Sequence, residues 1–285
     1  MNTVFPPSRG PLLTQETLTA MRAARDAGLS HWQGSFDLGR SEETVELLRE
    51  CWRWGKTEFP WPAELKPRTI HYWDGGAFAP VQRFSESLIK LVPTNWGTPT
   101  FEIDGIKMLP SAQCSPWDDA QRKVALIEPR GKRILDSCGG LGYFARACIE
   151  AGASRVLSFE KNADVLWLRS LNPWSPDLHD PITAQVLELR HADVGTELAT
   201  LPAASFDAIL HDPPRFGIAG ELYAQRFYDE LARVLRPRGP MFHYTGAPNR
   251  NSRGRDLPAE VMRRLEKAGF NARRSLDGVL AIRRA

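Results

Sequence analysis

The stretch Arg133-Ile134-Leu135-Asp136-Ser137-Cys138-Gly139-Gly140-Leu141-Gly142-Tyr143-Phe144 decides the fold. A short apolar strand over Lys132–Asp136 runs into a glycine-rich bend, and a helix follows over Tyr143–Ala151, closed by Gly152. Glycines let a ligand approach the backbone closely. In an open α/β sheet such a bend lies at the carboxyl end of the first strand, where ligands bind. Downstream the pattern repeats, with strands expected over Arg155–Phe159, Val186–His191, Phe206–Leu210 and Pro240–Tyr244. Helices are expected over Ala163–Asn172, Leu222–Leu235 and Pro258–Ala268. This alternation predicts a doubly wound parallel sheet covered on both faces. Two last strands, Ala272–Leu276 and Val279–Arg283, joined by Asp277-Gly278, predict an antiparallel hairpin at one edge.

Upstream the texture changes. Six of the nine tryptophans lie within residues 1–110, and Trp117 follows just after. Helices are expected over Gln15–Ala27 and Ser41–Trp52, the second from Ser41 as cap and the acidic first turn of Glu42 and Glu43. Thr69–Trp73 reads as a strand closed by the turn Asp74-Gly75-Gly76. Thr100–Ile103 and Ile106–Leu109, joined by Asp104-Gly105, read as a hairpin. The expected division is a smaller mixed N-terminal domain with β-hairpins over 1–110, serving the substrate or as a lid, and a ligand-binding domain over 111–285.

The 285 residues are 42% apolar and 25% charged, which suits a soluble globular protein. No apolar run approaches the roughly 20 residues of a membrane span. The first residues lack a secretory pattern. The four cysteines form no CxxC pair, so neither a disulfide framework nor a zinc site is expected. A cytoplasmic protein without a metal follows. From Arg233 onward there are 13 basic and 4 acidic residues, a charge of +9 against −6 for the rest. That face either attracts phosphate or is simply solvated arginine.

Carboxylates recur at successive strand ends. Glu160 ends the second strand, where an acid can accept from both hydroxyls of a ribose. Asp193 follows the third strand, where it can accept from an adenine amino group. After the fourth comes Asp212-Pro213-Pro214-Arg215-Phe216; proline has a fixed φ and no N–H, so this loop is rigid.

The glycine bend resembles the acidic-x-Gly-x-Gly-x-Gly loop of class I S-adenosylmethionine (SAM) methyltransferases, with Cys138 at the first glycine position. The resemblance implies SAM as cofactor, with Asp136, Cys138, Gly139, Gly140, Gly142, Tyr143, Glu160, Lys161, Asp193 and Val194 around it. The loop of Asp212, Pro213, Pro214, Arg215 and Phe216 resembles the Asp/Asn-Pro-Pro-aromatic loop of amino-methylating enzymes. There the acid and a proline carbonyl accept hydrogen bonds from the target amine. Here Arg215 takes the aromatic position and Phe216 comes one place late. Together with Leu171–Ser175, Ala219–Tyr223, Phe242-His243-Tyr244, Arg253–Asp256 and Ser115–Ala120, these segments resemble a family of predicted class I SAM methyltransferases best represented in archaea. In that family a cysteine at the first glycine position is expected.

A wider resemblance is to the aminopropyltransferases of polyamine synthesis, which place a β-hairpin domain before a SAM-type fold and hold their amine in an acidic pocket. Arg215 opposes such a polycation, while Asp118, Asp119 and Glu221 add acidity. The expected fold is a class I SAM-binding, Rossmann-like sheet with an antiparallel edge hairpin. The expected activity is SAM-dependent methyl transfer to an amine of a small molecule or an RNA base, in a possible homodimer. The alternatives are an aminopropyltransferase-like enzyme and a noncatalytic RNA-binding module. No cysteine in His211–Phe216 or Met241–Pro248 supplies the nucleophile that cytosine C5 methylation needs. His211, His243 and Tyr244 are candidate bases or structural groups. Arg253, Arg255 and Asp256 fall in a candidate lid loop, and Trp174 is either a pocket wall or a packing residue.

Overall fold

The computed structural model describes residues 10–246 and 256–285. The chain forms two compact units. One runs to Trp117 and takes in Trp167–Ser175; the other comprises Asp118–Leu166 and Pro176–Ala285. The sequence boundary at 110/111 did not include that returning segment. Arg253 and Arg255 of the candidate lid lie outside the described residues.

The second unit is built on a seven-stranded sheet. Numbered within this sheet, the strands are β1 (Arg133–Asp136), β2 (Arg155–Glu160), β3 (Leu187–His191), β4 (Ala208–His211), β5 (Pro240–Tyr244), β6 (Phe270–Ser275) and β7 (Gly278–Arg283). Their order is β3-β2-β1-β4-β5-β7-β6. The first five run parallel, and β7 is antiparallel to both β5 and β6. Ile134, Leu135, Ala208, Ile209 and Leu210 are all fully buried, as strands covered on both faces require. The helix Gln225–Val234 turns Phe227, Tyr228, Leu231 and Val234 inward at helical spacing. They join Leu135, Phe159, Met241 and Phe270 in one core, where each buried side chain contributes about 1.5–3 kcal/mol. The expected α/β architecture and edge hairpin are the ones observed.

The first unit holds three small antiparallel sheets. The expected helix over Ser41–Trp52 is instead two strands, Glu43–Leu47 and Cys51–Trp54, paired at Leu47↔Trp52. Val45 and Leu47 alternate inward onto Trp52, which is fully buried and stacks on Phe36 at 5.1 Å and Phe59 at 4.7 Å. Period-two burial against that aromatic cluster overrides the capping signal. A helix over Pro116–Ala125 has no counterpart in the sequence reading, although Ser115-Pro116 followed by Asp118 and Asp119 is a helix-start signal. Trp174 packs in this unit, its indole N–H donating to Leu38 O at 3.0 Å and its ring 6.2 Å from Trp117.

Candidate functional site

The glycine bend is held by its backbone. Gly140 and Gly142 take φ of 49° and 82°, a left-handed conformation that side chains disfavour. Ser137 N–H donates to Leu210 O at 3.0 Å, and Gly139 N–H donates to Phe159 O at 2.7 Å. The bend is therefore fixed to β4 on one side and to β2 on the other. Gly142 opens the helix Tyr143–Glu150 without a side-chain cap, which leaves the mouth of that helix clear of side-chain atoms from the cap.

Glu160 braces the same bend. Its Oε2 accepts the Gly140 N–H at 3.0 Å and its Oε1 accepts the Asn162 N–H at 2.8 Å. A carboxylate has about four acceptor directions, so this bracing is compatible with accepting hydroxyl donors as well. Asp136 is completely covered, with Ser158 Oγ–H donating to it at 2.8 Å. Its carboxylate is therefore not presented at the surface. Cys138 lies beside it, its thiol pushed well up first by burial and then by the Glu160 charge, so it stays protonated. The Tyr143 and Val194 side chains are buried in the core. Asp193 caps the turn Val194–Glu197 through Gly195 N–H at 2.8 Å. Its other oxygen lies 3.6 Å from Lys161 Nζ, which also reaches Glu221 at 3.9 Å.

The Asp212-Pro213-Pro214 loop leaves β4 above two buried histidines. His211 Nε2–H donates to Leu222 O at 3.2 Å, so Nδ1 accepts the Ser137 hydroxyl at 2.6 Å. His243 Nδ1–H donates to Tyr244 O at 2.8 Å, and its Nε2 accepts the Tyr228 hydroxyl at 3.0 Å. The rings are 4.4 Å apart. Burial holds both neutral, His211 down at about 3 and His243 well below the ordinary imidazole value. Both nitrogens of each ring are engaged inside the protein, and these bonds tie the end of β4 to Ser137 and Leu222 and the end of β5 to Tyr228. The loop's other end is held by Tyr223, whose hydroxyl donates to Pro214 O at 3.1 Å. Phe216 packs edge-on against Tyr223 at 5.4 Å, and Arg215 is exposed.

Charge concentrates around Asp212. Register pairs His211 with His243 and Tyr244 with Gly278, which brings Asp212, Tyr244 and Asp277 to one edge of the sheet. Lys123, 1% exposed, lies there between Asp119 at 2.6 Å and Asp277 at 3.1 Å, and 4.4 Å from the centre of the Tyr244 ring. Burial pushes Asp212 up to about 7; Lys123 opposes that rise, while Asp119, Asp277 and Asp136 reinforce it. Tyr244 is pushed up to about 12, first by burial and then by the Asp212 charge. Burial alone would lower Lys123, but the charges of Asp212, Asp119 and Asp277 reverse the sign and raise it. Sequence reading named Asp119 and Tyr244 but not Lys123 or Asp277. Asp277 showed only as a turn residue, and a lone lysine in a helix carries no signal.

The opposite, amino edge of the sheet is basic. Lys132, Arg236 and Arg238 line a groove of about 360 Å³ there together with Asp207. Part of the C-terminal arginine surplus is paired, Arg236 with Asp207 and Arg233 with Glu230. No helix among the described residues is long and apolar enough to cross a membrane.

No protein-family model matches the chain. An uncharacterized protein of Methanocaldococcus jannaschii is 40% identical over 198 residues, 68% of this chain and 66% of that protein. The chain thus spans a little under two thirds of that relative's length. A polyamine aminopropyltransferase of Streptomyces coelicolor is 28% identical over 137 residues, 45% of this chain and 25% of that protein. Among solved structures, a spermidine synthase bound to the transition-state analogue AdoDATO superposes with a TM-score of 0.55 at 16% identity, covering 70% of this chain and 71% of its own. With the strand order given above, that likeness makes this a Rossmann-like α/β fold of the kind that spermidine synthase has. The residues present suit an adenosyl sulfonium: a bend free of side chains at Gly139, Gly140 and Gly142, with an acid at the end of β2 tied to it. The fit is weaker at Asp193, which Lys161 already faces.

Proposed function

We propose that this protein is a SAM-dependent transferase, acting in the cytoplasm, that methylates the nitrogen of a small cationic amine. The observation that carries this reading is Asp212, a carboxyl poised near neutrality at the carboxyl edge of β4, among Asp119, Asp277 and Lys123. An aliphatic amine reaches an enzyme as an ammonium, with a pKa near about 10. It becomes a nucleophile only after losing a proton. A base titrating near the working pH takes that proton most effectively, and Asp212 meets this requirement. The rigid Asp212-Pro213-Pro214 loop, fixed through His211 and Tyr223, holds the acceptor nitrogen in line, and positioning of this kind supplies much of the rate in a displacement. Glu160 and the glycine bend hold the cofactor, which when bound supplies the electrophilic methyl carbon. The net negative cluster attracts a cation and repels phosphate, and the basic groove lies at the other edge of the sheet; both features favour a small amine over RNA.

The test is incubation with isotopically labelled SAM and a panel of mono- and diamines, followed by separation of products. Labelled N-methylamine that is lost in Asp212→Asn supports the reading; label in RNA alone refutes it. A second reading, aminopropyl transfer, is favoured by the number of carboxylates around Asp212. It is separated by supplying decarboxylated SAM, which the first reading expects to be the poorer donor.

A further inference from the structure

We propose that Lys123 is a positioning residue for Asp212: its buried ammonium, clamped between Asp119 and Asp277 against the face of Tyr244, is the counter-charge that lets Asp212 ionise at the end of β4. The inference rests on the reading of Asp212 as the proton acceptor. Lys123 never reaches the surface, so it is not a substrate contact. Instead it is shared. Asp119 comes from its own helix at 2.6 Å and Asp277 from the β6–β7 turn at 3.1 Å. Tyr244, whose ring it covers at 4.4 Å, occupies the sheet position next to Asp212. At formal charges Asp119, Asp277 and Lys123 sum to −1 with Asp212 protonated and −2 with it ionised.

The groups acting on Asp212 are Lys123 and Asp119 from the helix, Asp277 from the turn, and Asp136 from β1. Asp212 in turn acts on Tyr244 of β5, on Tyr223, and on Cys138 after β1. Every charged member of that set except Lys123 is negative. Removing Lys123 therefore leaves Asp212 facing only like charge, and its proton is held to higher pH.

The experiment is a carbon-13 NMR titration of side-chain carboxyls in the full chain. The resonance missing from Asp212→Asn assigns Asp212. In Lys123→Met its midpoint should rise by about one to three pH units, the span that an opposite charge at close range imposes; Lys123→Arg should restore most of the shift. Asp277→Asn, which removes a like charge, should move the midpoint down. It serves as the second variant should Lys123→Met not fold. An unchanged midpoint in folded Lys123→Met, or in Asp277→Asn when Lys123→Met does not fold, overturns the proposal. A shifted midpoint in a protein that methylates no amine would leave the positioning role standing while the transferase reading fails.

Discussion

Replacing Asp212 by Asn should make the protein more stable, and increasingly so as pH rises. In the folded chain the carboxyl is lifted from an ordinary 3.8 to about 7, chiefly by burial. Between those values the native state holds a proton that the unfolded chain has released. Wild-type stability from this group therefore falls as pH rises through the window and levels off above about pH 7. At about 1.4 kcal/mol per pH unit the full window sets an upper bound of about 4 kcal/mol, and the interval from pH 5 to pH 8 about 2 kcal/mol after relaxation. Asparagine carries no such burden. Urea denaturation of both proteins at pH 5, 6, 7 and 8 measures it: the stability gap in favour of Asp212→Asn should widen by about 2 kcal/mol across the series. A gap that stays constant, or that narrows with pH, refutes the argument that burial holds this acid near neutrality. The same variant should lose methyl transfer, so stability and function would part at one atom, as they often do at strained sites.

Three further outcomes follow from the geometry. Glu160→Ala should weaken SAM affinity at least about tenfold by calorimetry and also lower Tm, because Gly140 and Asn162 lose their acceptor. His243→Phe should cost about 1–3 kcal/mol in urea denaturation by leaving the Tyr228 hydroxyl buried without its acceptor. The pH profile of turnover should stay where it was, whereas a catalytic histidine would move it. Trp52→Ala should cost about 3–5 kcal/mol, since it empties the centre of the aromatic core of the first unit; a loss under 1 kcal/mol would mean that core contributes little.

The large sheet was legible because its signals are local. Lys132–Tyr143 spells strand, bend and helix within a dozen residues, and each later strand ends near a turn residue or an acid. The first unit was harder. Ser41-Glu42-Glu43-Thr44 looks like a helix start, but Val45 and Leu47 are drawn to Trp52, and pairing with Cys51–Trp54 decides the outcome. That information lies in the packing, not in the segment. The same limit applies to the site. Glu160 could be found by counting strand ends, and its place beside the glycine bend agrees with that count. Lys123, Asp212 and Asp277 are far apart in sequence and meet only because β7 runs back beside β5. His211 and His243 looked like candidate bases at strand ends; both are completely buried, which favours the neutral ring, and their nitrogens are taken up by internal hydrogen bonds.

The closing hairpin of the sheet has a consequence for how such a protein can change. Its turn delivers Asp277 to the edge where Asp212 sits, so this hairpin is more than a border to the sheet. A single exchange at that turn would change the charge facing Asp212 while leaving both the glycine bend and the proline-rich loop untouched. An exchange in this edge hairpin would thus be felt at the end of β4, on the far side of β5.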